Sequence, residues 1–241
     1  MPEKIERIKT YVEGLDDKME GGIPKRTVTL ICGTPGCMKS SLAYSILYHN
    51  ARENGSKGVF ITLEQDIRSL LQHMSKLNMG GDKNLLVVDY DGVESRIKED
   101  RMFERNWIKR VANYARDLKE KEDYDLVVID SLDALYSLTT IENPRREIYH
   151  LFRALRNAGI TSFLVSEMMR GEDKFSKYGV EDFLSDAIIH LDLQKKPGVI
   201  STLERYIGII KMRSTYHTTQ YLPLFYAGDR FTVYSKEDLE L

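Results

Sequence analysis

The hydrophobic positions along the chain switch repeatedly between a strand-like and a helix-like period. Ile5, Ile8 and Val12 recur three and four apart among charged residues, which predicts a short amphipathic helix. A turn-rich stretch follows, from Gly14-Leu15-Asp16-Asp17 to Gly21-Gly22-Ile23-Pro24, and leads into an apolar run over 28–32. Beyond a Gly/Pro turn, Leu42, Ile46 and Leu47 mark a helix that runs to about Glu53 and stops near Asn54-Gly55. Residues 58–63 form a continuous apolar strand, as in a buried parallel sheet, ending in Glu64-Gln65-Asp66. A helix over about 67–77, closed by Met79-Gly80-Gly81, and a short strand over 84–88 come next. Residues 101–121 carry Phe103, Trp107, Val111, Tyr114 and Leu118 at helical spacing, a core-facing stripe that leaves Trp107 no functional reading.

Residues 125–130 read as a strand. A helix over 145–157, with Ile148, Leu151, Phe152 and Leu155 on one side, ends at Gly159 before a strand over 160–165. Strands alternating with helices imply βαβ units and a mainly parallel sheet flanked by helices, an α/β fold. The last third differs: 187–193, 203–212, 220–226 and 231–234 look like strands joined by short turns, the clearest at Lys195-Lys196-Pro197-Gly198 and Ala227-Gly228-Asp229. These C-terminal strands are expected to extend the same sheet, partly as antiparallel hairpins. No composition break, linker or repeat divides the chain, so 1–241 reads as one domain with a lead-in over 1–25.

Composition narrows the class. With 42% hydrophobic and 30% charged residues, the 241-residue chain can bury a core. A formal net charge of -2 gives no global reason to bind nucleic acid. No run approaches a membrane span, and the first residues lack a signal-peptide core, so a cytoplasmic protein is expected. The two cysteines, Cys32 and Cys37, are too few for a zinc site and read as packing residues, with a redox-sensitive loop as the alternative.

The chemistry concentrates at Gly33-Thr34-Pro35-Gly36-Cys37-Met38-Lys39-Ser40-Ser41. Strand, glycine turn, Lys-Ser and helix are the parts of a phosphate-binding loop, whose N–H groups wrap phosphates at a positive helix end. Residues 34–41 would contact the nucleotide, with Lys39 reaching the outer phosphates and Ser40 helping to hold Mg²⁺. Met38 departs from the pattern, which has glycine before the lysine. Asp130, at a strand end, is the candidate second metal anchor, with helix capping as the competing reading. Asp133 reads as a capping or surface group. Glu64, ending the strand after the loop helix, is the candidate base for a water attacking the outer phosphate; adjacent Gln65 can only hydrogen bond. Ser166-Glu167 ends another strand and reads equally as a γ-phosphate sensor or a plain turn. Lys211 and Arg213 alternate onto one side of a strand, as cations for an anionic target or as charges protecting a sheet edge.

With these elements in order, the chain resembles the RecA superfamily, and within it the KaiC-like ATPases of archaea and bacteria. The matching pieces begin with Gly14-Leu15-Asp16, Gly21-Gly22-Ile23-Pro24, the loop from Gly33 to Ser40, and Phe60-Ile61-Thr62-Leu63-Glu64. They continue through Val127-Val128-Ile129-Asp130-Ser131, Tyr178-Gly179-Val180-Glu181 with Ser185-Asp186, and Lys211-Met212-Arg213-Ser214-Thr215-Tyr216-His217. The resemblance implies a RecA-like fold with ATP and Mg²⁺ between subunits of a homo-oligomeric ring, commonly a hexamer. It implies catalytic roles for Glu64 and Lys39, and for Lys211 and Arg213 acting on the γ-phosphate of a neighbouring subunit. Gln65 replaces a second acidic residue, and Arg26 stands where a glycine often precedes the first strand. Asp182-Phe183 stands where the tandem clock member carries a phosphorylated Ser-Thr pair, so autophosphorylation there is not expected.

The leading expectation is therefore an Mg²⁺-dependent, ring-forming ATPase acting in regulation or signalling, with an unidentified protein partner. A nucleotide-binding switch or scaffold with little turnover is the alternative, and a recombinase-like DNA-repair ATPase is less favoured.

Overall fold

The computed structural model describes residues 5–96, 106–169, 171–197 and 201–234. In chain order its elements begin with β1 (Arg7–Ile8), a 3-10 turn (Asp16–Met19), β2 (Ile23–Pro24), β3 (Val28–Gly33), α1 (Lys39–Asn54) and β4 (Gly58–Thr62). There follow α2 (Ile67–Lys76), β5 (Leu85–Val88), α3 (Tyr90–Arg96), α4 (Trp107–Glu122), β6 (Leu126–Asp130), α5 (Leu132–Ser137) and α6 (Pro144–Asn157). The last are β7 (Thr161–Glu167), α7 (Val180–Leu184), β8 (Ala187–Lys196), β9 (Thr202–Met212), β10 (Leu222–Ala227) and β11 (Arg230–Val233).

The continuous apolar runs become the centre of a nine-stranded sheet, ordered β11-β10-β9-β8-β3-β7-β6-β4-β5. Every residue of β3, β4 and β6 is buried, which is why these runs show no alternation. The block from β8 to β5 is parallel, and β9, β10 and β11 continue it antiparallel. One face packs on α1, α2, the N-terminal segment and the inner side of the C-terminal strands. The other packs on α3 to α6, where Trp107 is buried and stacks on Tyr90. No helix among the described residues is long and apolar enough to cross a membrane.

Two expectations are corrected. The spacing of Ile5, Ile8 and Val12 does not make a helix: Arg7–Ile8 is a strand paired antiparallel with β2. The backbone N–H groups of Thr10 and Tyr11 bind the Asp16 carboxylate, and Tyr11 sits at φ 57°, so the segment turns where a helix would have continued. Lys195 and Lys196 belong to β8, paired with Leu203 and Thr202, rather than to a turn. Gly198 and the first five residues of the expected 101–121 helix, Phe103 among them, lie outside the described residues.

Register places the chemistry. Gly33 pairs with Glu167, and Thr62 with Asp130, so four strand ends open at the same edge of the sheet. Loops leaving that edge of a parallel sheet are where α/β proteins bind ligands.

Candidate active site

The 33–41 loop is built on backbone conformations that few residues tolerate. Gly33 ends β3 against β8 so closely that a Cβ would lie 2.2 Å from the Leu191 carbonyl oxygen. Met38, which replaces the expected glycine, nevertheless takes the left-handed conformation (φ 71°, ψ 32°). Its carbonyl accepts from Leu42 N at 2.9 Å, starting α1 immediately after it. Met38 offers no side-chain cap to the first N–H groups of α1, leaving that helix end its partial positive charge. Lys39 is buried and its Nζ donates to the Thr34 carbonyl at 3.3 Å. The Ser41 hydroxyl lies 3.3 Å from His73 Nε2 of α2, tying the two helices together. Cys32 and Cys37 are free thiols that pack into opposite cores, one on each face of the sheet.

Asp130 ends β6 with 6% exposure, beside the Ser40 hydroxyl. Burial pushes its carboxyl up to about 6, helped by the nearby charges of Glu64 and Glu167, against the lowering effects of Ser40 and Lys39. Its peptide bond to Ser131 is cis. Ser131, not Asp130, caps α5, by accepting from Ala134 N at 3.2 Å. The Ser131 hydroxyl also donates to Glu64 Oε1, which brings Glu64 beside the Asp130 strand end. Gln65 is exposed and its carbonyl accepts from the Thr62 hydroxyl at 2.8 Å. The Glu167 carboxyl is raised by burial, then by Glu64 and Asp133. Ser166 is buried and its Oγ has no partner among the described residues.

Carboxylates thus crowd around one lysine. Such crowding is eased by a bound cation. Ser40 and Asp130 fit an Mg²⁺ held by few protein oxygens, as such ions are at phosphate sites. Among the described residues no cluster of three or more His, Cys, Asp or Glu forms an all-protein metal cage.

Lys211 and Arg213 are not part of this constellation. Met212 pairs with Ala187, which is level with Thr29 at the start of β3, about 13 Å back along the strand from Gly33. Lys211 Nζ donates to the carbonyls of Asp182 (2.9 Å), Phe183 (3.3 Å) and Ser185 (2.6 Å). Arg213 donates to the Phe183 carbonyl at 3.0 Å and pairs with Asp186 at 2.9 Å. Burial and Arg213 lower the Lys211 ammonium from its usual value.

Two contributors were not assigned these contacts from the sequence, in which Asp133 read as a capping or surface group and Arg205 had no reading. Asp133 Oδ2 accepts from Glu167 N at 2.8 Å and fixes the end of β7 against α5. Arg205 Nε donates to the Gly36 carbonyl at 3.0 Å, although it lies 169 residues away. No local spacing signals such a contact; only the β9 register brings it there.

The mainly parallel sheet, the C-terminal antiparallel strands and the loop leading into α1 define a RecA-like α/β protein. A family model described as "ATPase: KaiC" matches residues 8–238. A UPF0273 protein of Pyrobaculum aerophilum is 33% identical over 89% of this chain and 77% of its own length. The circadian clock protein KaiC2 of Synechocystis is 28% identical over 89% of this chain, which spans 37% of that longer protein. The crystal structure of a KaiC-like protein from Pyrococcus horikoshii superposes with a TM-score of 0.83 at 28% identity, covering 96% of this chain and 100% of that one. The chain belongs to the KaiC family of ATPases.

Proposed function

We propose that the protein binds Mg·ATP in the 33–41 loop and hydrolyses it, at a site completed by Lys211 and Arg213 of a second copy in a homo-oligomeric ring. The observation that carries this reading is the register: the loop, Asp130 and Glu64 share one sheet edge, while Lys211 and Arg213 hang toward the other. Cations so far from their own loop can meet a phosphate only on a neighbour.

In this mechanism the loop N–H groups, Lys39 and the N-terminus of α1 hold the phosphate oxygens. Mg²⁺, held by Ser40 and Asp130, supplies charge neutralisation when bound. Glu64, steadied by Ser131, orients a water and accepts its proton as the water oxygen bonds to the γ-phosphorus. The bond from that phosphorus to the bridging oxygen breaks and ADP leaves with the electron pair. Lys211 and Arg213 from the neighbour stabilise the charge that develops, as arginine fingers do. Ser166 and Glu167, at the end of β7, would sense the outer phosphate.

The test is Mg·ATP turnover per subunit measured as protein concentration rises, with Arg213→Ala alongside. Turnover that climbs with concentration, and a variant that binds ATP but does not turn it over, is the expected result. Negligible turnover at every concentration, with ATP still bound, would instead favour a nucleotide-dependent switch.

A further inference from the structure

Met38 is at once disfavoured in backbone and well packed in side chain. It carries a Cβ at φ 71°, in the region that belongs to glycine. Its side chain leans on the core that α1 shares with the C-terminal strands. Together with Arg205, Leu224, Phe225, Tyr226 and Phe231 it encloses a cavity of about 230 Å³ directly beside the loop. The same wall touches the loop again through Arg205 and the Gly36 carbonyl. The cavity therefore adjoins the phosphate loop at Met38, with Arg205 tying its wall to the loop again at Gly36.

The cavity's chemistry suits a flat aromatic ring. Its rings, Phe225, Tyr226 and Phe231, and the Met38 thioether offer stacking and sulfur–aromatic contact. Its polar side chains are already engaged: Tyr226 with the Leu77 carbonyl, Arg205 with Gly36, and Glu204 with Lys196 and Tyr206. Apolar contact is what the lining has left to give.

We infer that Met38 is a specificity-determining residue: its side chain forms the wall between the phosphate loop and this cavity, and there grips the heteroaromatic base of the bound nucleotide. The inference rests on the nucleotide-binding reading above. It gives the missing glycine a role, because a glycine loop would hold phosphates equally well but leave this wall open.

Titration calorimetry with Mg·ATP and with Mg·tripolyphosphate, which has no base, separates the two roles. Met38→Ala keeps the Cβ at the left-handed position, and Met38→Gly removes it. Both are expected to weaken Mg·ATP by about tenfold, the loss of one sulfur–aromatic contact set. Met38→Leu should stay within about threefold, since it conserves volume. Tripolyphosphate binding reports on the loop itself and should weaken by clearly less than Mg·ATP binding in each Met38 variant, because the loop N–H groups remain. Phe225→Ala, at a half-exposed position in the lining, should show the same split without endangering the fold. Unchanged ATP affinity in the Met38 variants, or an equal loss for tripolyphosphate, would overturn the inference while nucleotide binding stands. Failure of the wild-type protein to bind either ligand would overturn the nucleotide reading itself, and this inference with it.

Discussion

Arg26 and Met38 are the two residues where this chain carries a side chain at a position expected to be glycine, and both adopt positive φ, at 62° and 71°. The backbone path survives the substitution, and the strain is accepted locally. At Arg26 nothing apolar compensates: the residue is exposed, and its N–H donates to the Thr161 hydroxyl at 2.9 Å, a bond a glycine would keep. Arg26→Gly should therefore stabilise the protein by about 0.5–1 kcal/mol, the left-handed penalty less the entropy cost of glycine. A higher urea midpoint at unchanged m-value would register it. Glu64 gives the sharper functional prediction. Glu64→Gln keeps an acceptor for Ser131 but cannot take a proton, so turnover should fall by a factor of about 10² or more. ATP affinity, followed by equilibrium binding, should move little. Comparable losses of binding and turnover would assign Glu64 to ground-state contact.

Between elements, the turn 182–186 is the joint that holds the far edge together. Asp186 accepts from Val28 N at 3.0 Å, from Arg156 at 2.7 Å and from Arg213 at 2.9 Å, so one carboxylate ties the start of β3 to the last turn of α6 and the end of β9. Asp186→Ala would strand the Val28 N–H and remove an ion pair from each of two arginines, and should cost about 2–3 kcal/mol in chemical denaturation. The buried Glu181 anchors the same turn by accepting from Tyr136 of α5 at 2.9 Å and from Ser176 at 2.9 Å. Because α5 also presents Asp133 to the Glu167 N–H, one short helix joins the end of β7 to α7. Tyr136→Phe should lower turnover at saturating ATP while leaving ATP affinity unchanged, if it loosens Lys211 and Arg213 rather than the loop. A matching loss of affinity would place its effect on the loop side. Short elements such as α3, α5 and α7 were not legible in the chain, since five to seven residues hold too few turns for a period to emerge.

At the scale of the whole molecule, the proposed function calls for a head-to-tail arrangement, loop of one copy to cations of the next, which would close into a ring if the rotation between copies allows. A mixing experiment follows. Glu64→Gln and Arg213→Ala should each be inactive alone. Mixed in equal amounts they should recover activity at about a quarter of the sites, where random pairing joins an intact Glu64 to a neighbour's intact Arg213. Assayed by steady-state phosphate release, no recovery after subunit exchange would argue against a shared site.

Long buried strands and two-sided helices were readable from the chain because burial imposes a period that needs no partner to be seen. The loop and the strand-end acids Glu64, Asp130 and Glu167 were readable too, since parallel strands bring their C-terminal ends to a common edge whatever the packing. The N-terminal segment was not: its apolar spacing suits a helix, but the Asp16 carboxylate and the β2 pairing outbid the helical hydrogen bonds. Nor was the placement of Lys211, Arg213 and Arg205 relative to the loop, which depends on strand order and antiparallel register. Local pattern decided which residues are buried and which could do chemistry. Only the tertiary structure decided where Lys211, Arg213 and Arg205 fall relative to that edge, because pairing across strand order and antiparallel register leaves no trace in local spacing.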